Sequence, residues 1–253
     1  MLYTLKRWIS GTPTDAEWGG LAAWAKQKNW DLKRLREDGF VIEGALEEIN
    51  GQPSWRMEWG QSQRSYFSGP EIRARVELQM PDDLQMMVLD RPLMQRLEKA
   101  AYEQFTDTTQ TFVDSSTPEE MRWLSMYPKV LTTDKSLREQ LAVVASEPSV
   151  AASWLEGPLS GELSLAANDW IRGESAFVLM TLRGRLHLRM GCAEPVPALV
   201  EKILRLFFAS ALHADRVAKA SGAASANEWP STAISAWQAQ LDATDGRPDG
   251  ETR

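Results

Sequence analysis

The chain has 253 residues, 43% hydrophobic and 25% charged, with 28 Lys+Arg against 35 Asp+Glu for a net charge of −7. Those proportions exclude an intrinsically disordered, collagen-like or disulfide-stapled protein and leave enough apolar material to fold without staples. The acidic balance argues against nucleic acid as a partner, because attraction to phosphate dominates such binding.

Residues 1–10 place the basic pair Lys6-Arg7 after the apolar residues, the reverse of a signal peptide, so export by that route is not expected. Leu2, Leu5, Trp8 and Ile9 oppose that pair, which leaves two outcomes: packing on the domain, which is favoured, or peripheral contact with an acidic membrane. Thr14-Asp15-Ala16-Glu17 has the form of a capping box, and Trp18, Leu21, Ala22 and Ala25 follow at helical spacing, which predicts a helix over 15–28. The charged stretch 31–38 reads as a second short helix, making 1–38 an N-terminal helical segment. From Gly39 the pattern changes to short apolar runs between turn residues, with Asn50-Gly51 as a hairpin signal. Trp55, Met57 and Trp59 then alternate with Arg56 and Glu58, and Ile72, Ala74 and Val76 with Arg73 and Arg75, as in half-buried antiparallel strands. A further strand is expected over 84–89.

Asp90-Arg91-Pro92 opens a helix with Leu93 and Leu97 on its apolar face. Thr117-Pro118-Glu119-Glu120 reads as a second capping box, and Asp134 as the cap of a helix carrying Leu137, Leu141 and Val144. Residues 129–132 and 162–167 read as strands, and so does 176–190, with Gly184 as the corner of a hairpin. A long helix is expected over 198–220, with Leu199, Ile203, Leu206 and Phe207 on its buried side. The fold class is therefore α+β, with antiparallel sheets and helices packed on one side. Its core spans 39–220, as two βββα-like halves at 39–110 and 155–220 joined by a helical middle, 111–154. The hint of duplication rests on element order rather than residue identity, and coincidence is the favoured explanation. Residues 221–253 read as a flexible tail with a short helix near 232–241, whose Ile234, Trp237 and Leu241 share one face.

A His/Cys metal site would need Cys192, His187 and His213 all to converge, so no metal is expected. The single thiol favours a reducing cytoplasm. Neither G-x-x-x-x-G-K-[ST], G-x-G-x-x-G nor G-x-S-x-G occurs, so no cofactor and no catalytic residue is assigned. The most distinctive pattern is Arg185, His187 and Arg189 on one strand face, joined by Arg73 and Arg75 if the two strands share a sheet. Such a face suits an anionic or phosphorylated ligand, or else is a lattice of cross-strand ion pairs, the favoured alternative. The leading expectation is a non-catalytic interaction or adaptor module, binding a protein partner or a second copy as a homodimer, with Ile234, Trp237 and Leu241 as a second contact; an anion or phosphorylated-ligand domain comes second and an enzyme of unrecognised type third. The eleven tryptophans are expected to be mostly structural anchors.

Overall fold

The computed structural model describes residues 18–35, 39–107, 117–171 and 176–228. In chain order the elements are α1 (Gly19–Gln27), β1 (Asp31–Leu35), β2 (Gly39–Ala45), β3 (Ser54–Gln61), β4 (Pro70–Glu77), β5 (Met86–Asp90), α2 (Arg91–Asp107), α3 (Glu119–Met126), α4 (Lys135–Gln140), β6 (Leu141–Ala145), α5 (Pro148–Trp154), α6 (Pro158–Asp169), β7 (Phe177–Leu182), β8 (Arg185–Gly191) and α7 (Pro197–Glu228). All strands join one antiparallel sheet in the order β1-β2-β3-β4-β8-β7-β5-β6. The fold is α+β, as the alternation of its strands implied. Residues 219–253 form a separate unit, described only over the last part of α7.

Burial along the strands divides the sheet in two. β5 and β6 are buried at every position and β7 at all but its last, whereas β3, β4 and β8 alternate between buried and solvent-facing residues. One face is covered along its whole width. Phe40, Ile42, Trp55, Met57, Ile72, Val76, Val88, Leu179, Leu186 and Leu188 pack there with Leu21 and Ala25 of α1, Leu137 of α4, Trp154 of α5, Leu159 and Leu163 of α6, and Ile203, Leu206 and Phe207 of α7. On the opposite face, among the described residues, the helices cover β5, β6 and β7, through Leu93 and Leu97 of α2 and Met121 and Trp123 of α3, which pack on Met87, Leu89, Val144 and Val178. Helices on one side alone are thus not the whole arrangement. Strands apolar on both faces need cover on both.

Several elements depart from expectation. Residues 31–35 form the edge strand β1 rather than a helix, pairing along their full length with β2. Leu32 is held against the core by that pairing while Asp31, Lys33 and Arg34 stay exposed, and charged side chains of this kind blunt a sheet edge. Leu137, Leu141 and Val144 do not share one helix: α4 ends at Gln140 and Leu141–Ala145 continues as β6. A short apolar run fits either period, and pairing with β5 decides it. Residues 162–167 lie in α6, not in a strand. Lys129 contributes an isolated bridge to Val144, and no strand forms over 129–132. At α3 the cap is Pro118, with no side-chain cap bond, so the second capping box does not form. The first, at 14–17, lies outside the described residues.

Other local signals hold. Asp134 caps α4 by accepting from the backbone N–H groups of Ser136 and Leu137 at 2.8 and 3.4 Å. Asp90 ends β5, accepts from Leu93 N at 2.8 Å to cap α2, and accepts from Phe177 N at 2.7 Å. The β7–β8 corner is Arg183-Gly184, with φ of 50° and 70°, as a tight hairpin with two positive-φ residues demands. The β2–β3 connection turns at Gly51 (φ 88°) but is longer than two residues, because Leu46 and Ile49 are drawn into the core. Helix α7 runs to Glu228, past the end expected near Ala220.

The described tryptophans are structural. Trp154 is fully buried and donates to Ser210 O at 3.1 Å. Trp24, Trp30 and Trp55 stack edge to face in series with Phe208, and Trp18 packs edge-on to Phe40 and Trp59. Trp8, Trp229 and Trp237 lie outside the described residues.

Candidate functional site: the charged half of the sheet

β4 pairs directly with β8, so Arg73, Arg75, Arg185, His187 and Arg189 come together on one sheet face. Among the described residues, no helical core covers this half of the face. The site lies where burial on the other side imposes alternation: Ile72, Ala74 and Val76 of β4 and Leu186, Leu188 and Met190 of β8 point into the core, which turns the odd-numbered residues outward. β3 adds Arg56 and Glu58 by the same parity, since Trp55, Met57 and Trp59 face the core.

The register arranges these side chains in rows. In one row Glu58, Arg73 and Arg189 lie side by side across β3, β4 and β8, and in the next Arg56, Arg75 and His187 do so, with Glu43 of β2 opposite Arg56. Glu77 lies opposite Arg185. Ion pairs follow the rows. Arg73 Nη2 reaches Glu58 Oε2 at 3.1 Å, Arg56 Nη1 reaches Glu43 Oε1 at 2.6 Å, and Arg185 Nη2 reaches Glu77 Oε1 at 2.8 Å. Arg56 Nε also donates to Glu58 at 2.5 Å.

Glu71, at the end of β4 and 0% exposed, gathers the strongest set of contacts. Arg189 Nη1 donates to its two carboxylate oxygens at 3.0 and 3.3 Å, Arg73 Nη1 approaches at 3.4 Å, and the backbone N–H of Gln63 donates at 3.2 Å. The loop 62–69 that supplies Gln63 also ties this face to α3. Tyr66 donates its hydroxyl to Glu120 Oε1 at 2.8 Å, and Arg64 Nε lies 3.4 Å from the same oxygen. Glu120 is 0% exposed, and its other oxygen has no partner among the described residues.

The five arginine and histidine positions singled out in the sequence are therefore not equivalent. Arg73 and Arg189 are mostly buried and neutralised, and Arg185 is exposed but paired. Arg75 is exposed and has no hydrogen-bond or ion-pair partner among the described residues. His187 lies between Arg185 and Arg189, opposite Arg75; burial, then the cations Arg189, Arg185 and Arg75, push its pKa down to about 4, so the ring is neutral at pH 7. Glu58 and Glu43 are held below the usual carboxylate range: partial burial opposes this for Glu58 but Arg56 and Arg73 outweigh it, and for Glu43 the Lys33 hydrogen bond leads, with Arg56 adding.

Two open depressions flank Arg75, of 470 Å³ toward Ser54, Glu77 and Arg185 and 250 Å³ toward Gln63, Arg73 and Arg189; Arg56 and Arg75 line both. His213, on α7, lies elsewhere, its Nδ1 2.9 Å from Trp154 O in the covered core. Cys192 is buried there too, its thiol pushed up to about 11 by that burial. Among the described residues no group of three or more His, Cys, Asp or Glu is placed to hold a metal ion. Likewise no described helix is long and apolar enough to cross a membrane. Ile234, Trp237, Leu241 and residues 1–10 lie outside the described residues. Sequence reasoning missed the special roles of Glu71 and Glu120. Glu120 sits where a capping box would place it, and nothing in its neighbours signals that it is buried against Tyr66.

No family model matches the chain, and neither does any curated protein. The crystal structure of the mycobacterial trehalose monomycolate transport factor A is similar over 77% of this chain and 92% of that chain, with a TM-score of 0.42 and 8% sequence identity. A likeness at that level carries no functional argument.

Proposed function

We propose that this protein is a non-catalytic interaction module whose binding surface is the charged half of the sheet. The observation that carries the reading is the asymmetry of cover. Among the described residues, no helix covers the face built by β3, β4 and β8, beside a half that α2 and α3 cover, and within it Arg75 is exposed with no hydrogen-bond or ion-pair partner among the described residues, amid arginines that have partners. Chemistry finds little support on this face. His187 has no carboxylate partner among the described residues, and Glu43 and Glu58 are held below the usual carboxylate range by the cations they meet.

A photo-cross-linking residue at Ser54 or Glu77, on the open face, tests this against one at Lys99 or Glu139, on exposed helix surface. Adducts with one protein, identified by mass spectrometry, are expected from the face positions alone. Equal labelling from helix and face, or none from the face, would refute the reading. The stripe Ile234, Trp237 and Leu241 is proposed as a second contact, to the partner or to a second copy. Removing residues 229–253 is then expected to change the oligomeric state or the cross-linked partner, and an unchanged result in both would exclude it.

A second reading, a site for a phosphorylated or otherwise anionic small ligand, is favoured by Arg75 standing between two depressions. A salt-sensitive thermal shift with inorganic phosphate that disappears in Arg75→Ala would support it, and a shift unchanged in that variant would exclude it.

A further inference from the structure

We propose that the open face takes an extended acidic segment of a partner protein, with one carboxylate seated between Arg56 and Arg75 beside His187; this rests on the interaction reading above and names the chemistry of the partner. The argument begins with the row itself. Opposed like charges are unfavourable across a sheet, and the register sets Arg56 directly across from Arg75, whose neighbour on β8 is His187, so no acidic side chain of β4 or β8 stands in that row. The neighbouring row shows the compensated version, in which Glu58 stands opposite Arg73. Arg56 turns its contacts toward Glu43 and Glu58, and Arg185 takes Glu77. Among the described residues that leaves Arg75 with a complete fork of donors, matched to a carboxylate held by two parallel N–H groups. His187, opposite Arg75, is kept neutral first by its burial and then by the surrounding cations Arg189, Arg185 and Arg75, so it adds no charge of its own to this row.

The shape of the surface chooses between a small molecule and a chain. Small-ligand sites are concave and enclose most of the ligand, whereas the depressions beside Arg75 are open and follow one another along β4. Alternate residues of an extended chain lie roughly 6.6–6.8 Å apart. Residues 73, 75 and 77 of β4 share that spacing, so an extended segment lying along β4 passes over both depressions and places an acidic residue in the one lined by Arg56, Arg73, Arg75, His187 and Arg189. The contacts would be charge-assisted and partly solvated, which predicts moderate affinity and strong dependence on salt.

The test uses the full chain and a fluorescein-labelled alternating glutamate/serine octapeptide, followed by fluorescence anisotropy at low salt and again at high salt. An alternating lysine/serine octapeptide, free glutamate and inorganic phosphate serve as comparisons. The acidic peptide is expected to bind, to weaken at high salt, and to lose about tenfold in affinity in Arg75→Ala, the size of effect for a charged hydrogen-bonded contact. Arg75→Lys should lose less, and Lys99→Ala nothing. Because Arg75 is exposed and unpaired, Arg75→Ala is expected to keep the fold, and an unchanged circular dichroism spectrum checks that. Shifts of the His187 ring resonances on adding peptide give a readout independent of affinity. Failure of the acidic peptide to bind, binding indifferent to Arg75→Ala, or phosphate binding as tightly as the peptide would each overturn the proposal. If Ser54 and Glu77 still cross-link a partner in that case, only the acidic occupant is wrong; if they do not, the interaction reading fails with it.

Discussion

Replacing Glu71 by alanine separates a structural ion lattice from a decorative one. Glu71 is fully buried and receives three donors: Arg189 at 3.0 Å, Gln63 N at 3.2 Å and Arg73 at 3.4 Å. Arg73 retains Glu58 and the carbonyl of Gln61 without it, but Arg189, 17% exposed at its side chain, has no other ion-pair partner among the described residues. The substitution therefore leaves a mostly buried guanidinium uncompensated beside His187 and Arg73, which costs about 3–5 kcal/mol. Glu77→Ala breaks a pair whose side chains are 50% and 72% exposed, and should cost less than about 1 kcal/mol. In urea unfolding with a slope of roughly 2–3 kcal/mol/M, the first variant should lower the midpoint by about 1–2 M and the second by a few tenths. The double variant Glu71→Ala/Arg189→Met should recover most of the loss, because the cost lies in the orphaned charge rather than in the missing contact. Glu71→Ala matching Glu77→Ala within about 0.5 kcal/mol would show that solvent already screens the site, and the reasoning would fail.

Three further outcomes follow from local geometry. His187 has a folded-state pKa of about 4 against an ordinary value of 6.5, so its contribution to stability is complete above pH 6.5 and is lost as pH falls toward 4; NMR titration of the ring checks the value, and His187→Gln should flatten that part of the stability profile. Gly184→Ala places a side chain at φ 70° with its Cβ 3.2 Å from Asp82 Oδ1, and should lower stability by about 1–2 kcal/mol by calorimetry, more than Gly20→Ala, where nothing lies within 4 Å. Trp154→Ala removes a fully buried indole and its bond to Ser210 O, for about 3–5 kcal/mol in urea, whereas a loss under 1 kcal/mol would mean the core closes over the gap.

What could be read from the sequence was local. Trp55, Met57 and Trp59 declared their face because the alternation is strict, and Arg183-Gly184 declared a turn because few residues accept positive φ. The arginine positions were legible as a face for the same reason. Their neutralisation was not, since it depends on β4 lying beside β8 and on loop 62–69 folding back to bury Glu71, both products of long-range pairing. β1 was hidden by its charge, with two leucines too few to show a period, and β6 by an apolar run that extends the helical spacing of α4. Arg75 differs from Arg73 in nothing that its neighbours show; only the three-dimensional distribution of glutamates distinguishes them.

The seam between β4 and β8 also bears on how the protein assembles. The strands β1 to β4 are consecutive neighbours in the sheet and close with short loops, while Arg189 meets Glu71 across 118 residues of chain. Closing so long a loop is entropically slow and is rewarded only after the intervening elements are in place. The charged face is therefore expected to be completed late in folding, and a nascent or truncated chain that has made its first four strands carries Arg56, Arg73 and Arg75 but still lacks Arg185, His187 and Arg189. Any partner that selects this surface would be selecting finished molecules.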